Sequence, residues 1–173
     1  MLTLKSLAVE AVPTALEKAQ QYRRLNEPNE AESICLDILA VVPGHQEALK
    51  TLLLALTDKF ADGGLSPSFE QARELVDRLD TSQSKAYYSG IIFERRAKYH
   101  LKQGGPGVGT EAYIWLVQAM DAFEEALSES DRTNQDAVLR WNSCARIINS
   151  NPEIRAEEGD RTEMLLDSFD VPH

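Results

Sequence analysis

The chain is short of the residues that usually carry covalent staples or metal chemistry. It has only two cysteines, Cys35 and Cys144, too few for a disulfide framework. Both fall on apolar helix faces, where a free thiol behaves as a small hydrophobe. The three histidines, His45, His100 and His173, have no spacing that sets two ligands on one helix face, and neither cysteine lies near a histidine, so no metal site is expected. Glycine and proline number 9 and 7, which excludes fibrous and low-complexity classes. No apolar run approaches the roughly 20 residues of a membrane helix; the longest candidate is Leu52–Leu56. Lys5 stands alone near the N-terminus and Glu10 interrupts the apolar stretch after it, an unlikely pattern for a secretory signal. With reduced cysteines, that reads as cytoplasmic. Period-two alternation is also missing, which excludes a substantial sheet.

Basic charge is scarce as well. Against 28 acids stand 18 Lys and Arg, for a net charge of −10, which argues against nucleic-acid binding because phosphates need clustered cations. The imbalance is local. Residues 151–173 hold Arg155 and Arg161 against seven acids, an acidic tail. From Arg95 to Thr110 there is no acid, while Arg95, Arg96, Lys98, His100 and Lys102 make the one basic stretch. No catalytic constellation is visible: Ser, His and acidic residues are unconnected by a nucleophile motif. The glycine-rich stretch 103–110 precedes a helix, as phosphate loops do, but no Lys follows its last glycine and it joins two helices. It reads as a connector or an interaction loop.

What is present is helical periodicity. Apolar stripes predict helices over about 13–25, 29–42, 45–60, 66–79, 84–102, 110–128 and 133–150. Expected caps are Asn29, Ser66 ahead of Pro67, and a capping-box variant of Thr133 with Asp136. Asp62–Leu65 is expected to break the chain between the third and fourth helices. Gly90 lies inside a helix, where it costs about 1 kcal/mol relative to Ala, so close helix packing is expected there. Residues 1–11 form a lead-in, 12–150 one helical domain, and 151–173 a tail or a docked terminal helix carrying the apolar island Met164–Phe169.

One spacing recurs: Ala19, Tyr22, Ala31 and Pro43 place a small residue and an aromatic on one helix, a small residue on the next and proline at its end. Gly90 with Phe93, then Ala119, Phe123 and Ala126, then Trp141, Cys144, Ala145 and Ile148, repeat parts of it. The chain resembles the tetratricopeptide repeat family over about residues 12–150, as three repeats and a capping helix. The resemblance implies an all-α, right-handed superhelical stack of antiparallel helix pairs whose concave face binds a peptide or helix of another protein. It implies a non-enzymatic adaptor or scaffold with no cofactor, and the third unit, with its long helices, projects beyond a regular repeat. Carried over by position, the groove residues are Leu16, Gln20 and Arg23; Lys50, Thr51 and Leu54; and Tyr87, Tyr88, Ile91, Arg95 and Lys98. Arg24 and Asp58 lie at neighbouring outward positions. The family's carboxylate clamp is absent, since the matching places hold Leu16, Gln20, Thr51, Ser84 and Tyr88. Tyr87 and Tyr88 with Arg95 and Lys98 suit an acidic or aromatic-containing segment, and the chain's own acidic tail is one such segment. A client-binding chaperone and a regulatory domain for a small ligand are the alternatives, and apolar edges at either end of the stack could pair with a second copy.

Overall fold

The structure is a computed structural model, and the residues it describes are 2–61, 66–128 and 133–157. Among them are seven α-helices and no strand: α1 Val12–Arg24, α2 Pro28–Val41, α3 Gln46–Asp58, α4 Ser66–Val76, α5 Ser82–Gln103, α6 Val108–Ser128 and α7 Asp136–Ser150. Each helix packs on the next, and α1 with α3, α3 with α5 and α5 with α7 also touch. The helices expected from the apolar stripes are all present, and α5 and α6, at 22 and 21 residues, are the longest. No described helix is long and apolar enough to cross a membrane. The expected break at 62–65 and the apolar island 164–169 lie outside the described residues.

Helix ends are set by local chemistry that partly differs from expectation. At the end of α1, Asn26 takes φ 61°, while the Glu27 and Asn26 amides donate to the Tyr22 and Arg23 carbonyls at 2.9 and 3.1 Å. This is a Schellman closure, and asparagine is among the few non-glycine residues that tolerate the left-handed position. Asn29 is not the cap of α2. Pro28 already occupies the first turn and Glu27 precedes it, because proline's fixed φ and missing N–H suit it to that turn. Likewise α7 starts at Asp136 after Gln135 rather than from a Thr133 box; the Asn134 carboxamide accepts the Asp136 N–H at 3.2 Å. Two caps were not anticipated: His45 Nδ1 accepts the Ala48 N–H at 3.2 Å, and Thr81 Oγ1 accepts that of Ser84 at 3.1 Å.

Two hydrophobic clusters form the interior. One gathers α1 to α4 around Ile38, Leu49, Leu53, Phe60 and Phe69, with Ile92 of α5. The other joins α5, α6 and α7 around Ile91, Leu116, Phe123 and Cys144, and takes in Ile154 beyond α7. Tyr88, Phe93 and Trp115 pack against both. At this seam the Arg96 guanidinium lies 4.2 and 4.1 Å from the ring centroids of Phe69 and Trp115, which themselves meet edge to face at 6.0 Å, so that two cation–π contacts join α4, α5 and α6. Polar contacts close one end of the stack: Gln46 donates to the Arg78 carbonyl and accepts the Asp80 N–H, and Arg78 donates to the Pro43 carbonyl.

Two glycines are fixed by close approach. A Cβ at Gly90 would lie 2.5 Å from Cε1 of Phe123, so the expected close packing is that of α5 on α6. Gly109, expected in a turn, is inside α6, and a Cβ there would meet the Glu153 carbonyl oxygen at 2.1 Å. Residues 151–157 therefore fold back onto the start of α6, where Ile154 is buried.

Candidate functional site

Alternate helices put one face of each of α1, α3, α5 and α7 side by side. The residues there recur at three- and four-residue spacing, for example Tyr87, Ile91, Glu94 and Lys98 on α5 and Asp136, Leu139, Arg140 and Ser143 on α7. Two carboxylates organise the face. Asp58 of α3 accepts from Arg23 Nε of α1 at 2.7 Å on one oxygen, and Arg95 Nη2 of α5 lies 3.3 Å from the other. Glu94, 1% exposed, is held by Lys98 and by Arg140 Nη1 of α7 at 3.0 Å. A carboxylate that deep is tolerated only when it is paired. Each carboxylate thus carries two cations whose side chains are partly exposed.

Beside this ladder a cleft of about 220 Å³ opens between α3, α5 and α7, with Lys50, Gln83, Tyr87, Tyr88 and Asp136 among its walls. Through Tyr87 and Asp136 it meets a second hollow bounded by Lys98, Leu139, Arg140 and Ser143. Tyr87 and Tyr88 meet edge to face at a centroid distance of 5.3 Å, and Tyr87 packs on Phe123 at 5.9 Å. Burial raises the pKa of both phenols; at Tyr87 the neighbouring Arg140 opposes the shift without cancelling it. Burial works against the Arg140 charge, yet Glu94 and Tyr87 outweigh it and its pKa is raised. Both phenols are neutral donors at pH 7.

The sequence-predicted groove residues separate into three groups. Arg23, Lys50, Tyr87, Tyr88, Arg95 and Lys98 lie on this face, partly exposed. Leu16 packs against the first cluster and Leu54 against the second, and Gln20 beside them is half-buried. Thr51 and Ile91 are buried, at 5% and 1% exposure, so neither is available to a partner. Both turn inward because α3 and α5 are each covered on more than one side, which widens their buried stripes.

The basic stretch 95–110 is not a free cationic patch. Asp58 of α3 pairs Arg95, the rings of Phe69 and Trp115 hold Arg96, and Glu94, one turn earlier on α5, pairs Lys98. His100 Nε2 lies 3.2 Å from Glu111 Oε1 but is not aligned for a hydrogen bond. Burial pushes the His100 pKa down despite that carboxylate, leaving the imidazole neutral at pH 7. Sequence reasoning missed Glu94, Arg140, Leu139 and Asp136. A carboxylate at position 94, between the apolar Ile91 and Ala97, was the available signal, since a charge on a buried stripe demands a cation across the interface.

Cys35 and Cys144 are buried in separate clusters, with their thiols pushed up to about 12, chiefly by burial, which makes them unreactive. Among the described residues no group of three or more His, Cys, Asp or Glu could hold a metal ion. The fold and this face define an all-helical protein with a polar, aromatic-flanked cleft formed by alternate helices. Comparison with protein-family models, with curated proteins and with solved structures gives no match.

Proposed function

We propose that the chain is a non-enzymatic tetratricopeptide-like adaptor, a right-handed superhelical stack that holds a peptide or helix of a partner protein against the face of α1, α3, α5 and α7. The observation that carries the reading is the cleft beside Tyr87 and Tyr88, continuous with the hollow at Leu139. Aromatic rings at its wall supply apolar area, and the surface donors of Lys50, Lys98 and Arg140 supply orientation. Leu139 is 65% exposed at its edge, the kind of apolar position that a partner covers.

The test is photo-crosslinking in the native host, with a crosslinking amino acid placed at Gln83 or Leu139 and, as a control, at Leu36 of α2, which is 52% exposed. The expected result is one partner protein captured at Gln83 and Leu139 and not at Leu36. Equal capture at all three positions, or none at the first two, overturns the reading.

A further inference from the structure

A second concavity lies on the other side of α5, between α4 and α6. Two hollows of about 360 and 510 Å³ share Ser89 and Phe93 and so form one trough. Its floor is the α5 face Ser82, Ala86, Ser89 and Phe93, eleven residue steps and thus roughly 16 Å long. One wall is the α4 stripe Glu70, Arg73 and Glu74, with Asp77 just past its end; the other is the α6 stripe Gln118, Asp121, Ala122 and Glu125. Both stripes have the spacing of a single helix face. The walls and floor together carry five acids against two bases, Arg73 and Lys85. Among the described residues, only Glu70 of the five acids is ion-paired, with Arg73 at 3.8 Å.

We infer that this trough is a second binding surface, and that its occupant is a basic amphipathic helix of another protein. Phe93 on the floor and Ala122 on the α6 wall, both partly exposed, would take the apolar face of such a helix, and its Lys or Arg flanks would meet Glu74 and Asp77 on one side and Asp121 and Glu125 on the other. The length matches two to three helical turns. Like charge disfavours a second copy of this chain, whose net charge is −10. The inference is independent of the cleft proposed above, which opens on the opposite side of α5.

Binding of fluorescein-labelled peptides of about 14 residues, one a Leu/Lys helical repeat and one the same repeat with Glu for Lys, tests this by anisotropy on the full chain. The Leu/Lys peptide is expected to bind at least about tenfold more tightly. Glu74→Lys/Asp121→Lys should reduce that binding about tenfold, and so should Ser89→Trp, which fills the floor without changing charge. Ala122→Trp replaces Ser89→Trp if circular dichroism shows the latter to be misfolded. Equal binding of the two peptides overturns the proposal, as does indifference to the tryptophan variant, which would mark binding to acidic surface in general. Loss of binding on Leu139→Arg with retention on the trough variants would assign the peptide to the cleft instead.

Discussion

A methyl group added at Gly90 would gain about 1 kcal/mol of helix propensity, yet it would press into the Phe123 ring at 2.5 Å. Overpacking of this kind costs about 1–3 kcal/mol. Gly90→Ala is therefore expected to lower the urea midpoint, and Phe123→Leu in that background to recover part of the loss, where the two single changes alone each destabilise. Glu94 is a second decisive position. Lys98→Met/Arg140→Met strips both cations from a buried carboxylate and is expected to cost about 3–5 kcal/mol; adding Glu94→Leu should return most of that, as a denaturation cycle would show. His100 sets a pH dependence. Its pKa is depressed in the folded state, so below the unfolded value of about 6.5 the unfolded chain binds more protons and stability falls as pH drops. Subtracting the His100→Gln stability profile from that of the wild type should isolate this slope; parallel profiles between pH 7 and 5 would contradict it. Residue roles were unevenly legible in the sequence. The need for close packing at Gly90 could be read from glycine in a helix, but its partner could not. Nor could the pairing of Arg95, because Asp58 reaches it only through the fold.

Among elements, the helices were the most legible, since their stripes are local. Cap identity was less so. Pro28 displaced Asn29 from the start of α2 because a proline commits its own φ before a side chain can act. The least legible element was the segment 151–157, which has no periodicity and owes its place to a gap at Gly109 and a pocket for Ile154. Gly109→Ala should improve α6 as an isolated helix yet dislodge this segment, since backbone at 2.1 Å cannot make way. Limited trypsinolysis reads this directly: cleavage after Arg155 is expected to accelerate in the variant at unchanged overall helicity. Equal cleavage rates would mean the segment is already free.

At the scale of the molecule, two clusters meet across Tyr88, Phe93 and Trp115, and regions of one chain open with different free energies according to their own packing and the contacts between them. Phe93→Ala should therefore uncouple the halves more than it weakens either. Hydrogen exchange is expected to show α6 and α7 opening at lower free energy than α2 and α3 in that variant, but closer to them in the wild type. The side-by-side packing of α1, α3, α5 and α7 follows from the antiparallel order of the helices, whereas the trough behind α5 was not legible, because its acids read in the sequence as ordinary solvated helix surface. The two tryptophans divide along the same boundary. Trp115 sits in the seam beneath the Arg96 guanidinium, and Trp141 packs within the second cluster alone. The molecule thus carries two intrinsic fluorophores with different assignments: emission from Trp115 would change when the halves part, and emission from Trp141 only when the second half itself melts, so separation and melting can be timed without any label.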